Sequence, residues 1–111
     1  MPRPPAPETL APIDRVLRAL ADPSRRRIVE RLGQGPASVS SLAELLGVSL
    51  TAVSQHLQIL AEAGLAATEK TGRVRTARRD PAGFALLEQW LGDSRTIWER
   101  RLDALGELMK D

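Results

Sequence analysis

At 111 residues, 42% hydrophobic and 27% charged, the chain fits one modest globular unit, and no apolar run approaches the roughly 18 residues a membrane span needs. Its net charge of +2 divides unevenly: residues 1–79 carry twelve Lys and Arg against seven Asp and Glu, net +5, while residues 80–111 carry four against seven, net −3. The absence of cysteine excludes disulfides, thiolate ligands and a cysteine nucleophile, and a lone histidine, His56, leaves almost no metal or acid–base repertoire.

Residues 1–11, with Pro2, Pro4, Pro5 and Pro7, read as a disordered lead-in without an apolar leader, which predicts a cytoplasmic protein with one domain over residues 12–111. Ile13, Val16, Leu17 and Leu20 recur at helical spacing and stop before Asp22 and Pro23, so a first helix ends near Ala21. Asp22 caps a second helix with Pro23 at its first position. Ile28, Val29 and Leu32 turn inward, Arg25, Arg26 and Arg27 outward, and Gly33-Gln34-Gly35-Pro36 ends it. A short extended piece at Ala37–Val39 precedes a third helix, capped by Ser40 or Ser41, that carries Leu42, Ala43, Leu45 and Leu46 and stops at Gly47. Ser49 caps a fourth, with Val53, Leu57 and Leu60 as its buried stripe and Gly64 as its left-handed stop. Leu65–Lys70 and Val74–Arg79 have strand length around Thr71-Gly72-Arg73, predicting a hairpin. From Asp80 and Pro81 onward, Phe84, Leu87, Trp90, Leu91, Ile97, Trp98, Leu102, Leu105 and Leu108 share roughly one stripe of a long last helix.

This is a mainly α chain with a small β-hairpin, in the order α-α-α-α-β-β-α. Two helices meeting at a three-residue turn with glycine, followed by a hairpin, make a winged helix-turn-helix. A helical wheel set on Val53, Leu57 and Leu60 points Thr51, Gln55, Gln58 and Glu62 outward, Ala52, Ser54 and Ile59 to the edges, and His56 to the buried flank. Gln pairs bidentately with adenine, and Ser or Thr reaches base edges or phosphates, so Thr51, Ser54 and Gln55 are base-contact candidates on double-stranded DNA.

That helix holds no Lys or Arg, so phosphate affinity must come from helix N-termini, at Ser49 and at Ser40 and Ser41, and from the hairpin. The hairpin carries Lys70, Arg73, Arg75, Arg78 and Arg79 against Glu69, with Arg73 and Arg75 nearest its tip; charges on edge strands also prevent aggregation. His56 has no second histidine or cysteine to share a metal, which leaves a packed or a phosphate-contacting side chain. No metal, cofactor or catalytic site is expected, because no nucleophile–base pair, phosphate loop or metal cluster is present. The alternative that the arginine-free helix leaves open is a dimeric winged-helix module that binds protein rather than specific DNA.

Trp90 and Trp98 lie eight residues apart on one side of the last helix, flanked by Leu87, Leu91, Leu102 and Leu105. The stripe is longer than the short elements can cover, and surplus apolar area of this kind points to a second copy. A two-fold dimer also sets two reading helices about one helical turn apart on a palindrome.

Three segments, Ala21-Asp22-Pro23-Ser24-Arg25-Arg26-Arg27-Ile28, Ser49-Leu50-Thr51-Ala52-Val53-Ser54-Gln55-His56-Leu57 and Leu60-Ala61-Glu62-Ala63-Gly64-Leu65, resemble in order and spacing the ArsR family of bacterial winged-helix regulators, over about Leu10 to Met109. The resemblance implies a homodimer joined through the first and last helices, which adds Ile13 and Leu17 to the interface. It further implies binding to an imperfect palindrome, usually with repression by occluding polymerase. By position it puts base reading on Thr51, Ala52, Ser54, Gln55 and His56 and the wing on Thr71–Arg75; the wheel makes His56 a backbone contact instead. The cysteines or Asp/His/Glu sets of metal sensors are missing, so the chain resembles the non-metal branch, matched by the Trp90–Leu105 tail. That branch leaves room for a small-molecule effector that the motif does not identify.

Overall fold

The computed structural model describes residues 10–109, so the proline-rich positions 1–9, expected to be disordered, and positions 110–111 lie outside the described residues. The elements are α1 (Pro12–Leu20), α2 (Pro23–Leu32), β1 (Ala37–Ser38), α3 (Val39–Leu46), α4 (Leu50–Glu62), β2 (Ala66–Thr71), β3 (Val74–Arg79) and α5 (Pro81–Leu108).

The starts of α2, α3, α4 and α5 follow local capping chemistry, in which a side-chain oxygen takes a backbone N–H that has no intrahelical partner. Asp22 accepts from the N–H groups of Ser24 (2.8 Å) and Arg25 (3.2 Å), Ser49 Oγ from Ala52 (3.1 Å), and Asp80 from Ala82 (3.0 Å). The third helix departs from the expected cap. Ser38, rather than Ser40 or Ser41, holds that place, and its Oγ accepts from the Ser41 N–H at 3.1 Å. The reason is tertiary: Ala37 and Ser38 pair antiparallel with Ala77 and Thr76, so the extended piece becomes a strand that ends where the helix begins.

The expected hairpin forms between β2 and β3, from Ala66↔Arg79 to Thr71↔Val74, and β1 extends it to a three-stranded sheet in the order β1-β3-β2. The core draws on nearly every element: Val16, Ile28, Leu42, Val53, Leu57, Leu60, Leu65 and Ala77 are all buried. Each large aliphatic side chain among them contributes about 1.5–3 kcal/mol relative to exposure. Leu45, expected on the apolar side of α3, is exposed, while Leu42 fills the core.

The end of α4 sets how α5 leaves. Gly64 adopts φ 71°, and the N–H groups of Leu65 and Gly64 donate back to the carbonyls of Leu60 (2.9 Å) and Ala61 (3.0 Å), the Schellman pattern. The first turn of α5 lies directly on this corner, where the buried Gly83 donates its N–H to the Gly64 carbonyl at 2.7 Å.

Candidate nucleic-acid interface

On α4, Thr51, Gln55, Gln58 and Glu62 are exposed and Ala52, Ser54 and His56 half-buried at the edges, as the wheel expects; Ile59, expected at an edge, is exposed. In β3 the buried Ala77 defines the inner face, and strand alternation puts Arg75 on that same face. The register pairs Lys70 with Arg75 and Thr68 with Ala77, so Thr68 and Lys70 share it. Across an open cleft of about 340 Å³, Thr51, Ser54, Gln55 and Gln58 meet Thr68 and Arg75, above Leu57 and Ala61.

The cleft thus unites four predicted positions, Thr51, Ser54, Gln55 and Arg75, with Gln58 and Thr68, neither of which was a predicted contact. Gln58 was legible as an outward residue. Thr68 was not, because only strand register turns it toward α4. Lys70 and Arg73 are exposed farther out on the wing, and Ser40, Ser41 and Ser49 are exposed at the starts of α3 and α4. Ser41 is already engaged with Ser38 through its N–H and its hydroxyl, which donates to the Ser38 carbonyl at 2.9 Å. Arg78 lies on the opposite face of β3, while Arg79 stacks over the Phe84 ring at 5.1 Å, anchoring the base of the wing to α5.

Arg26 and Arg27 lie exposed on the outer face of α2, as expected, while Arg25, expected there too, is half-buried, and all three donate to backbone carbonyls. Arg25 donates from Nε to Ala19 (2.7 Å) and from Nη2 to Arg18 (3.2 Å), and Arg26 donates from Nη1 to Leu20 (2.8 Å) and Ala21 (3.1 Å). Four consecutive carbonyls at the C-terminus of α1 are thereby satisfied by cations of the next helix. Arg27 does the same for the Leu45 carbonyl at the end of α3, at 3.1 Å. Sequence shows the charge but not its acceptors, since any residue type supplies a carbonyl.

The same motif reaches α4. Nη1 of Arg25 lies 3.8 Å from the Asp22 carboxylate and 3.5 Å from His56 Nδ1. Burial, the largest single influence on Asp22, pushes its carboxyl up. The hydrogen bonds from Arg25 and Ser24, with the charges of Arg25 and His56, outweigh it and hold the group below its ordinary value. Among the described residues no group of three or more His, Cys, Asp or Glu is placed to hold a metal ion, and no helix is long and apolar enough to cross a membrane.

Of the predicted interface residues, Ile13 and Leu87 are half-buried where α1 packs on α5, and Leu17 is exposed beside them. Farther along α5 the stripe is open: Trp90 is 43% exposed, Trp98 and Leu102 62% each, and Leu91 and Leu105 are similarly bare. Arg101 covers part of the Trp98 ring at 5.7 Å.

The family described as a helix-turn-helix domain matches residues 20–69, from the end of α1 into β2. The HTH-type transcriptional regulator Rv2034 of Mycobacterium tuberculosis is 44% identical over 96 residues, spanning 86% of this chain and 87% of that protein. The solved ArsR-like transcriptional regulator from Rhodococcus sp. RHA1 superposes with a TM-score of 0.78 at 34% identity, over 94% of this chain and 98% of its own. A further relative from Mycobacterium bovis, a homodimeric winged helix-turn-helix DNA-binding domain, has a TM-score of 0.60 at 26% identity, with 84% and 83% of the two chains covered. With the overall fold and 34–44% of the sequence shared with such relatives, the chain belongs to the ArsR family of winged helix-turn-helix transcriptional regulators, which bind DNA and are not enzymes.

Proposed function

We propose that the chain acts as a homodimer on an imperfect palindrome, with α4 in the major groove of each half-site, and represses transcription by occluding polymerase. Thr51, Ser54 and Gln55 read base edges, and the small Ala52 lets the helix edge approach. Lys70, Arg73 and Arg75, with the helix starts at Ser40, Ser41 and Ser49, hold the phosphates. The observation that carries this reading is the cleft lined by the polar face of α4 on one side and by Thr68 and Arg75 of the wing on the other. Arg75 supplies there the cation that α4 lacks, so base reading and phosphate binding meet in one groove. The homodimeric Mycobacterium bovis relative supports the two-fold arrangement. Repression is what the family resemblance implies.

Selection of duplexes from a random pool, followed by titration across salt concentrations, tests it. The expected result is an enriched inverted repeat bound with an affinity that falls by about 0.9 log units per log unit of salt for each phosphate contacted. Failure to retain any duplex at low salt would overturn the reading in favour of a protein-binding module.

A further inference from the structure

Arg25 is 13% exposed, and its guanidinium is pinned from two sides by the Ala19 and Arg18 carbonyls, which leaves Nη1 facing His56 Nδ1 at 3.5 Å. A guanidinium can only donate, so in a hydrogen bond between the two the histidine nitrogen is the acceptor. In the neutral ring the proton is then on Nε2, and the imidazole carries a donor on the side away from Arg25. His56 sits on α4 one turn after Ala52 and one residue after Gln55, at the edge of the face described above. Arg25 itself belongs to the segment after Ala21, a motif that the base-reading and wing residues leave without a role.

We infer that Arg25 is a positioning residue for DNA binding: by donating to Nδ1 it locks His56 in the Nε2–H tautomer, turning a half-buried histidine into a donor for a backbone phosphate beside the base-reading groups. The inference rests on the DNA-binding reading. A hydrogen bond to the far ring nitrogen selects the tautomer of a histidine that must act at the other, as it does around metal-bound imidazoles. Arg25 also ties this histidine to the C-terminus of α1, so the setting of His56 depends on the helix that carries Ile13 and Leu17.

The full dimeric chain suits the test, because His56 is the sole histidine and its ring nitrogens give the only imidazole resonances. Long-range nitrogen–proton correlation spectra of the neutral ring are expected to show Nδ1 unprotonated and Nε2 protonated. Arg25→Met, which keeps bulk but removes the donors, is expected to shift the ring to mixed tautomers and weaken binding of the selected operator roughly tenfold. Since this variant also loosens the end of α1, the decisive measurement is a double-mutant cycle: in a His56→Ala background, Arg25→Met should cost little further affinity. His56→Gln, which offers an amide donor without a tautomer to choose, should retain operator binding and respond weakly to Arg25→Met. An unchanged tautomer, or losses that simply add, would overturn the assignment of Arg25 while the unmodified chain still binds its operator. Absence of duplex binding by the unmodified chain would overturn the regulator reading and this inference together.

Discussion

Asp22 caps α2 through hydrogen bonds and balances Arg25 through charge, and substitution can separate the two roles. Asp22→Ala removes both and is expected to cost about 1 kcal/mol, or roughly 4–8 °C in Tm for a domain of this size. Asp22→Asn keeps a side-chain oxygen at a position where Asn caps as well as Asp, so most of that stability should remain at neutral pH. The acid limb should differ. The folded carboxyl titrates below its ordinary 3.8, so its contribution is complete above that value and is lost as the pH falls through the lowered one. Thermal melts at descending pH should show a shallower loss below about pH 4 in Asp22→Asn than in the unmodified chain. Equal acid slopes would mean that the Asp22 charge adds nothing to folding.

Asp22 and Ser49 were legible as caps because capping is local, a side chain meeting N–H groups two or three residues ahead. Ser38 was not, because the choice among Ser38, Ser40 and Ser41 is made by a strand pairing across the chain to Thr76 and Ala77. The roles of Arg25, Arg26 and Arg27 were hidden for a related reason: their charge is visible, but the carbonyls they serve belong to another helix.

At the scale of elements, α4 and α5 meet at Gly83. A Cβ built there would lie 2.6 Å from the Ala63 carbonyl oxygen and 2.9 Å from that of Gly64, and neither backbone atom can swing aside as a side chain can. The start of α5 therefore rests on the end of α4 backbone to backbone, and this contact fixes the angle between the two helices. Gly92, two and a half turns further along α5, meets nothing within 4 Å of such an atom. The same substitution should therefore have opposite signs at the two sites. Gly83→Ala is expected to destabilise by about 1–3 kcal/mol through overpacking, and Gly92→Ala to stabilise by roughly 0.5–1 kcal/mol through helix propensity alone. Chemical denaturation of both variants checks the pair, and a neutral Gly83→Ala would show that the junction yields. The helices and hairpin were readable from periodicity and turn residues. This junction was not, since a helical glycine looks the same in sequence whether it is exposed or pressed against backbone.

At the scale of the molecule, the Cα radius of gyration is 18.4 Å, with extents of 69 × 38 × 23 Å. A compact chain of this length would have a radius near 13 Å. The excess comes from α5, whose 28 residues span about 42 Å and leave the winged body behind after their first turns. The apolar stripe was legible in the sequence. That it lies open along the second half of the helix became visible only in three dimensions, with Trp98 and Leu102 among its barest residues. The homodimer reading assigns this surface to a second copy, and the wing to DNA, so the two functions should come apart under substitution. Trp98→Ala removes an aromatic anchor from each protomer at once; self-association is expected to weaken at least roughly thirtyfold, and operator binding with it, because a monomer engages only one half-site. Arg73→Ala removes a cation at the exposed wing turn, where it should lower operator affinity and reduce the salt dependence by about one phosphate contact, leaving the oligomer intact. Sedimentation of both variants, read beside their operator titrations, distinguishes the surfaces. If Trp98→Ala remains dimeric at micromolar concentration while Arg73→Ala behaves as expected, the wing assignment stands and the dimer must be sought nearer Ile13, Leu17 and Leu87, where α1 already packs on α5.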